Sequence, residues 1–204
     1  MQSLIFGLTG GICSGKSTAS SFVAKHDIPI IDADLIAREV VVKGSSMLEA
    51  IIATFGKQYL SPEGELDRNK LGELVFNNAE QLSLLNTLMH PAINARAKQL
   101  MTANQEQGHK LQCYDAAILI ETGQAEFYRP LILVYCEPEL QLQRLMKRGY
   151  TQLQAEARIK TQMPLKEKLK FADLPVSTDG TLIETQQQID NIVLALKWKV
   201  KETQ

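Results

Sequence analysis

Short apolar runs alternate along this chain with longer stretches in which apolar residues recur three and four positions apart. The first kind predicts strands buried on both faces, the second helices with one packed side. Leu4-Ile5-Phe6 is the first strand, and Ala19 to Ala24 the helix after it. Ile28-Pro29-Ile30-Ile31 is a second strand, ending in Asp32-Ala33-Asp34, and Leu35 to Val42 a second helix, with Asp34 placed to cap it. From Ser45 to Gly108 the pattern is helical throughout. Met47, Leu48, Ile51, Ile52 and Phe55 share one face and Gly56 stops it. Leu71, Leu74 and Val75 mark another face, and Leu82, Leu85, Leu88 and Met89 a third. His90-Pro91 is expected to break that run, because a residue before proline resists the helical conformation.

Leu111 to Ile120 then predicts a third strand ending at Glu121, and Leu131 to Cys136 a fourth. Pro138 opens a helix carrying Leu140, Leu142, Leu145 and Met146. Further helices run from about Gln152 to Gln162 and from Pro164 to Ala172. Leu174 to Ser177 is a weak last strand whose proline assigns it to a sheet edge. Ile183 to Val200 closes the chain as a helix. Strand–helix alternation of this kind predicts an α/β fold with a doubly wound, largely parallel sheet. The 64 residues of helical pattern, 45–108, exceed an ordinary crossover and predict a separate subdomain.

One polar stretch interrupts this scheme. After the first strand comes Gly10-Gly11-Ile12-Cys13-Ser14-Gly15-Lys16-Ser17-Thr18. Gly-x-x-x-x-Gly-Lys-Ser between a strand and a helix is the phosphate-binding P-loop spacing. Its glycines let consecutive N–H groups converge on an anion, and the helix start adds its own unpaired N–H groups. Lys16 can reach the β- and γ-phosphates, and the Ser17 hydroxyl is placed to ligate Mg²⁺.

Composition narrows the setting. The chain has 204 residues, 45% of them hydrophobic, enough for one substantial core. A net charge of -1 offers no field for nucleic acid. Cys13, Cys113 and Cys136 show no disulfide or metal spacing and suit a reducing compartment. No signal peptide is legible, and no apolar run approaches the ~18 residues of a membrane span. A cytoplasmic protein without membrane, nucleic-acid or obligate protein partner is the expectation.

A P-loop serves kinases, switch GTPases and motor ATPases. An Asp-x-x-Gly switch and an Asn-Lys-x-Asp guanine reader are missing, and the chain is short for a motor. A small-molecule kinase needs a carboxylate near the acceptor hydroxyl and arginines to cover the moving phosphoryl. Asp34 is the candidate carboxylate, against the alternative of a helix cap. Asp32 either helps hold Mg²⁺ through water or orders the loop. Arg144 and Arg148, four apart, share a helix face and invite an anion. Glu121 stands in a Walker-B-like place or caps its strand, and Arg158 is a further basic candidate. His90 reads from the residues alone as a turn residue.

Five stretches together resemble the dephospho-CoA kinase family nearly end to end: the P-loop, Ile31-Asp32-Ala33-Asp34-Leu35-Ile36-Ala37-Arg38-Glu39, His90-Pro91-Ala92-Ile93, Gln141 to Arg148, and Arg158 to Lys168 with its Gln162-Met163-Pro164. The resemblance implies ATP and dephospho-CoA as substrates, with phosphorylation of the ribose 3′-hydroxyl, and a P-loop kinase fold with a helical substrate-side insertion and a helical lid. On that basis residues 1–44, 109–137 and 173–204 form the nucleotide-binding core, 45–108 the acceptor-side subdomain and 138–172 the lid. Asp34, Lys16 and Arg144 carry catalysis. The loop residues Gly10 to Thr18 with Arg144 and Arg148 bind ATP, Asp34, Arg38 and His90 meet the acceptor, and Ser17 with Asp32 holds Mg²⁺. The remaining alternatives are another nucleoside or metabolite kinase and a nucleotide-binding regulator without turnover. Cys13 stands where the family usually has glycine, Ala117 where it has proline, and Thr178-Asp179-Gly180 replaces an Asn-containing turn near the adenine. Cys13, at a helix N-terminus beside Lys16, is expected to react faster than the two strand cysteines and to be shielded by Mg-ATP.

Overall fold

The computed structural model describes residues 3–76 and 78–202. In chain order the elements are β1 (Leu4–Gly10), α1 (Lys16–Ala24), β2 (Ile30–Asp32), α2 (Ala33–Glu39), α3 (Ser46–Phe55), α4 (Arg68–Phe76) and α5 (Ala79–Glu106). Then come β3 (Leu111–Asp115), β4 (Leu131–Tyr135), α6 (Pro138–Lys147), α7 (Gln152–Ile159), α8 (Leu165–Lys168), β5 (Leu174–Ser177) and α9 (Leu182–Glu202). The chain divides into two compact units, residues 1–32 with 103–204 and residues 33–102.

The first unit is built on a parallel sheet in the order β2-β3-β1-β4-β5. β1 is central, and the chain builds one side of it before the other. The carboxyl end of β1 therefore lies where the strand order reverses, the crevice in which open α/β sheets bind ligands. Phe6 and Leu8 of β1, with Ile132 and Val134 of β4, are fully buried against α1 and α9. Those helices supply Ala19, Phe22 and Val23 from one and Ile189, Val193 and Leu196 from the other. Spacings of four and three on α9 make one apolar stripe, and strand burial on both faces explains the unbroken run Leu131 to Val134. β5 is an edge, as Pro175 requires.

The second unit has its own core of Val41, Ile51, Phe55, Leu71 and Val75. α3 is capped at Ser45, whose Oγ accepts from the Leu48 N–H at 3.1 Å, and it ends at Gly56 with φ 102°. The unit begins at Ala33 rather than at residue 45, because Val40 and Val41 pack into this core. It ends at Thr102 rather than residue 108; beyond it, Asn104 bonds Gln112 of β3 at 3.0 Å. Residues 138–172 fall within the first unit.

Three further expectations need correction. The third strand stops at Asp115, and Ala116 to Gly123 turn away instead of continuing to Ile120. The apolar side chains Leu119 and Ile120 are buried from a turn, which mimics a strand in the pattern. Asp34 is the second residue of α2, so it lies in the first turn rather than capping it. Pro91 does not break its helix: α5 runs through it without interruption. Leu85, Leu88 and Met89 pack against the core just before it, and Ala97 is buried after it. Packing on both sides offsets the missing N–H to the Thr87 carbonyl.

Pro91 is itself exposed. Pro91→Ala should therefore stabilise α5, by up to about 3 kcal/mol. A thermal melt reads this as a raised Tm; an unchanged or lower Tm would mean that proline relieves a constraint elsewhere in the helix.

Candidate active site

The carbonyls of the loop between β1 and α1 point into protein. A buried carbonyl without a donor is costly, so each needs a partner. The Gly10 carbonyl accepts from Lys168 Nζ at 3.3 Å and the Gly11 carbonyl from the Ser14 N–H at 3.1 Å. Gln141 Nε2 donates to the Ile12 carbonyl at 2.6 Å, and Arg144 Nη1 to the Cys13 carbonyl at 3.3 Å. Thr178 Oγ1 donates to the Ser14 carbonyl at 2.7 Å, and the Gly15 carbonyl accepts from the Thr18 and Ala19 amides of α1. The Ser14 hydroxyl is the exception, fully buried with no partner among the described residues.

Two residues of the loop have left-handed backbones, Cys13 at φ 57° and Gly15 at φ 96°. Gly15 is confined as well as twisted: a Cβ there would stand 3.0 Å from Thr178 Cγ2. At Cys13 a side chain accepts the strain, on the order of 1 kcal/mol.

Lys16 Nζ lies 2.5 Å from Asp115 Oδ1. Asp115 is 2% exposed, and burial raises its pKa against the opposing pull of Lys16. It sits directly across from Asp32 in the register of β2 and β3, and across from Leu8 of β1. Two carboxylates thus end adjacent strands beside the loop lysine. Sequence reasoning missed Asp115, because the apolar residues after it extended the apparent strand to Glu121. Glu121 instead lies in the turn, where its Oε1 accepts from Lys168 Nζ at 2.9 Å and from the Met163 N–H at 3.1 Å.

Arg144 is half-buried on α6. Besides the Cys13 carbonyl it donates to Thr178 Oγ1 at 2.8 Å and to the Thr178 carbonyl at 2.7 Å. Arg148 is the residue that ends α6. Arg144, Lys147 and Arg148 line a cavity of about 430 Å³ together with Cys13, Gly15 and Thr178. Three basic side chains and the loop's own backbone make this space suited to an anion. Arg158 lies elsewhere, its guanidinium 4.4 Å above the Tyr150 ring. Thr178 was noted in the sequence only as part of a turn near the adenine and Gln141 only as the start of a family stretch; both are buried and polar, and both bond backbone atoms distant in sequence.

The second unit carries the expected acceptor-side residues. Asp34 and Arg38 are exposed on α2, and His90 is half-buried on α5. The Arg38 carbonyl accepts from Arg68 Nη2 at 3.1 Å. The Arg68 guanidinium pKa is lowered by partial burial and by the charge of Arg38. Arg68 is thus a second cation beside Arg38 that sequence reading passed over.

A parallel sheet with this loop at the end of its central strand defines a P-loop nucleotide-binding fold. A family model described as dephospho-CoA kinase matches residues 4–184. A dephospho-CoA kinase of Bacillus cereus is 40% identical over 200 residues, covering 98% of this chain and 99% of its own. Among solved structures, a dephospho-CoA kinase of Campylobacter jejuni aligns with TM-score 0.69 at 29% identity, over 96% of this chain and 98% of its own. A Thermus thermophilus protein aligns with TM-score 0.83 at 28% identity over the same shares. The chain belongs to the dephospho-CoA kinase family. Among the described residues no helix is long and apolar enough to cross a membrane.

The cysteines differ in a testable way. Burial pushes the Cys113 thiol well up and raises that of Cys136, whereas Cys13 is half-buried on the cavity wall. A thiol reagent should label Cys13 first, and Mg-ATP should slow the labelling. Peptide mapping with and without nucleotide reads this out. Labelling of Cys13 at the same rate in both states would place its side chain away from the nucleotide. Cys13→Gly should leave the fold as stable or more so, by about 1 kcal/mol, since it removes the left-handed strain.

Proposed function

We propose that this protein transfers the terminal phosphoryl group of ATP to the ribose 3′-hydroxyl of dephospho-CoA, giving coenzyme A. The observation that carries the reading is a P-loop whose outward carbonyls from Gly10 to Gly15 are all bonded, in a chain of this family. A loop so held gives the β- and γ-phosphates a backbone fixed in advance, which is what phosphoryl transfer asks of a protein. Lys16 leaves Asp115 to meet the phosphates; Asp115 keeps the ammonium at the loop until then.

The donor set suits Mg²⁺. Ser17 lies in the first turn of α1, while Asp32 and Asp115 end neighbouring strands, and all three offer oxygen. Among the described residues no group of three or more His, Cys, Asp or Glu side chains forms a metal cage. Mg²⁺ takes one or two carboxylates and completes its shell with phosphates and water. Ser17, Asp32 and Asp115 would hold it, and when bound it neutralises charge on the phosphates. Asp34 accepts the proton of the attacking hydroxyl. Arg38 and His90 bind the acceptor on the second unit, with Arg68 adding positive charge there. Arg144 and Arg148 line the cavity for the nucleotide, and Arg144 also fixes the loop at Cys13.

With Mg-ATP, dephospho-CoA should be converted to coenzyme A, while adenosine and AMP are much poorer acceptors. A nucleoside monophosphate turned over efficiently, with dephospho-CoA untouched, would defeat the reading. Asp34→Asn should lower kcat by roughly 10²–10⁴ with ATP affinity near normal. Arg144→Ala should lower both kcat and Tm, because the guanidinium spans the loop and Thr178. A fall in Tm with kcat intact would leave Arg144 a purely structural role.

A further inference from the structure

Gln162, Leu165 and Lys168 meet the nucleotide loop through their side chains at three consecutive residues, Ile12, Gly11 and Gly10. The Ile12 N–H donates to Gln162 Oε1 at 2.7 Å, while the Ile12 carbonyl accepts from Gln141 Nε2 at 2.6 Å. One residue of the loop is thus gripped on both its amide and its carbonyl by two glutamines distant in sequence. Gly11 is roofed over: a Cβ there would come within 2.9 Å of Gln141 Nε2 and 3.0 Å of Leu165 Cδ2. The Gly10 carbonyl is held by Lys168, which is fully buried. Its ammonium has three donors and meets three acceptors: Gly10 O at 3.3 Å, Ala117 O at 3.0 Å and Glu121 Oε1 at 2.9 Å. Glu121 Oε1 also accepts from the Met163 N–H, so the same carboxylate fixes both ends of the segment.

A buried lysine is costly unless every proton finds an acceptor. Burial lowers its pKa and Glu121 opposes that shift. The position asks for a charged, three-pronged donor where an apolar residue would pack at less cost. What the lysine adds is a fixed location for the last carbonyl of β1, at the point where the chain leaves the sheet and begins to curl.

We infer that Gln162 and Lys168, with Gln141, are positioning residues that set the curvature of Gly10 to Ile12 and thereby the affinity for the phosphate chain, without touching the nucleotide. Gln162 turns the Ile12 amide outward, Gln141 holds the opposite side of the same residue, and Lys168 anchors the start. The amides that follow are aimed from that base. An error of about 1 Å at such a base is enough to weaken a multidentate site by large factors. The inference rests on the loop being the nucleotide site and is independent of the acceptor.

The test uses Gln162→Met, which keeps the side chain's length and removes the accepting oxygen. Affinity for β,γ-imido-ATP with Mg²⁺ is measured by calorimetry on folded protein, alongside Tm and the KM for dephospho-CoA. The expected result is a rise in analogue Kd of at least about 5-fold, the scale of one buried hydrogen bond lost, with the KM for dephospho-CoA within about twofold. Because Lys168→Met alone strands Glu121, the second variant is Lys168→Met with Glu121→Gln, which removes both charges and should raise the analogue Kd likewise. Analogue affinity within about twofold of wild type in both folded variants overturns the inference, even if Tm falls, since that is what a merely structural role predicts. A wild-type protein that binds no analogue overturns the nucleotide reading of the loop, and this inference with it. A wild type that binds the analogue but does not phosphorylate dephospho-CoA overturns only the acceptor assignment.

Discussion

A loop that points its amides at an anion must point its carbonyls at something else, and that necessity organises the first unit. Six successive carbonyls, from Gly10 to Gly15, each find a donor, and only Gly11 and Gly15 find theirs within the loop and its own helix. The other four draw on Lys168, Gln141, Arg144 and Thr178, which belong to elements beyond β4. The carboxyl-terminal third of the chain is in this sense the outer half of the phosphate site. Its helices matter less for what they bury than for which polar tips they deliver to the back of the loop.

Charge is arranged with similar economy. Lys16 and Asp115 neutralise each other in a place from which water is largely excluded, so the lysine is held at the loop before phosphate arrives. Asp32 stands across the strand pair from Asp115, and its charge adds to the burial that raises the Asp115 pKa. The left-handed Cys13 shows how far the framework can hold an unfavourable backbone. Its carbonyl is fixed by Arg144, which is itself fixed twice by Thr178.

The P-loop, the unbroken β4 and the proline-marked edge strand were legible because each rests on local chemistry: glycine spacing, continuous apolar burial, a missing N–H. The residues that hold the loop lay in stretches singled out by resemblance or as a turn, but their role was not legible, since Gln141, Gln162, Lys168 and Thr178 bond backbone atoms roughly 130 to 160 positions away and carry no local periodicity. Asp115 was hidden by the apolar turn that follows it. Pro91 misled in the other direction, because local steric preference yielded to packing on both sides of it. Asp34 was singled out from the residues themselves, as a carboxylate just past a strand end beside the loop, whereas Arg38 and His90 were assigned to the acceptor only through family resemblance.

The order β2-β3-β1-β4-β5 has a consequence for how the molecule comes into being on the ribosome. β1 is made first, yet its hydrogen-bonded neighbours are β3 at residues 111–115 and β4 at residues 131–135. At bacterial and eukaryotic elongation rates of roughly 5–20 residues per second, β1 waits several seconds or more with both edges unpaired. The chain synthesised in that interval is residues 33–102, whose core of Val41, Ile51, Phe55, Leu71 and Val75 is closed by contacts of short sequence separation. The nascent protein therefore has a locally completed helical unit in hand before its oldest strand can join a sheet. The phosphate loop, needing donors from as far along as Thr178, is among the last features to acquire its shape.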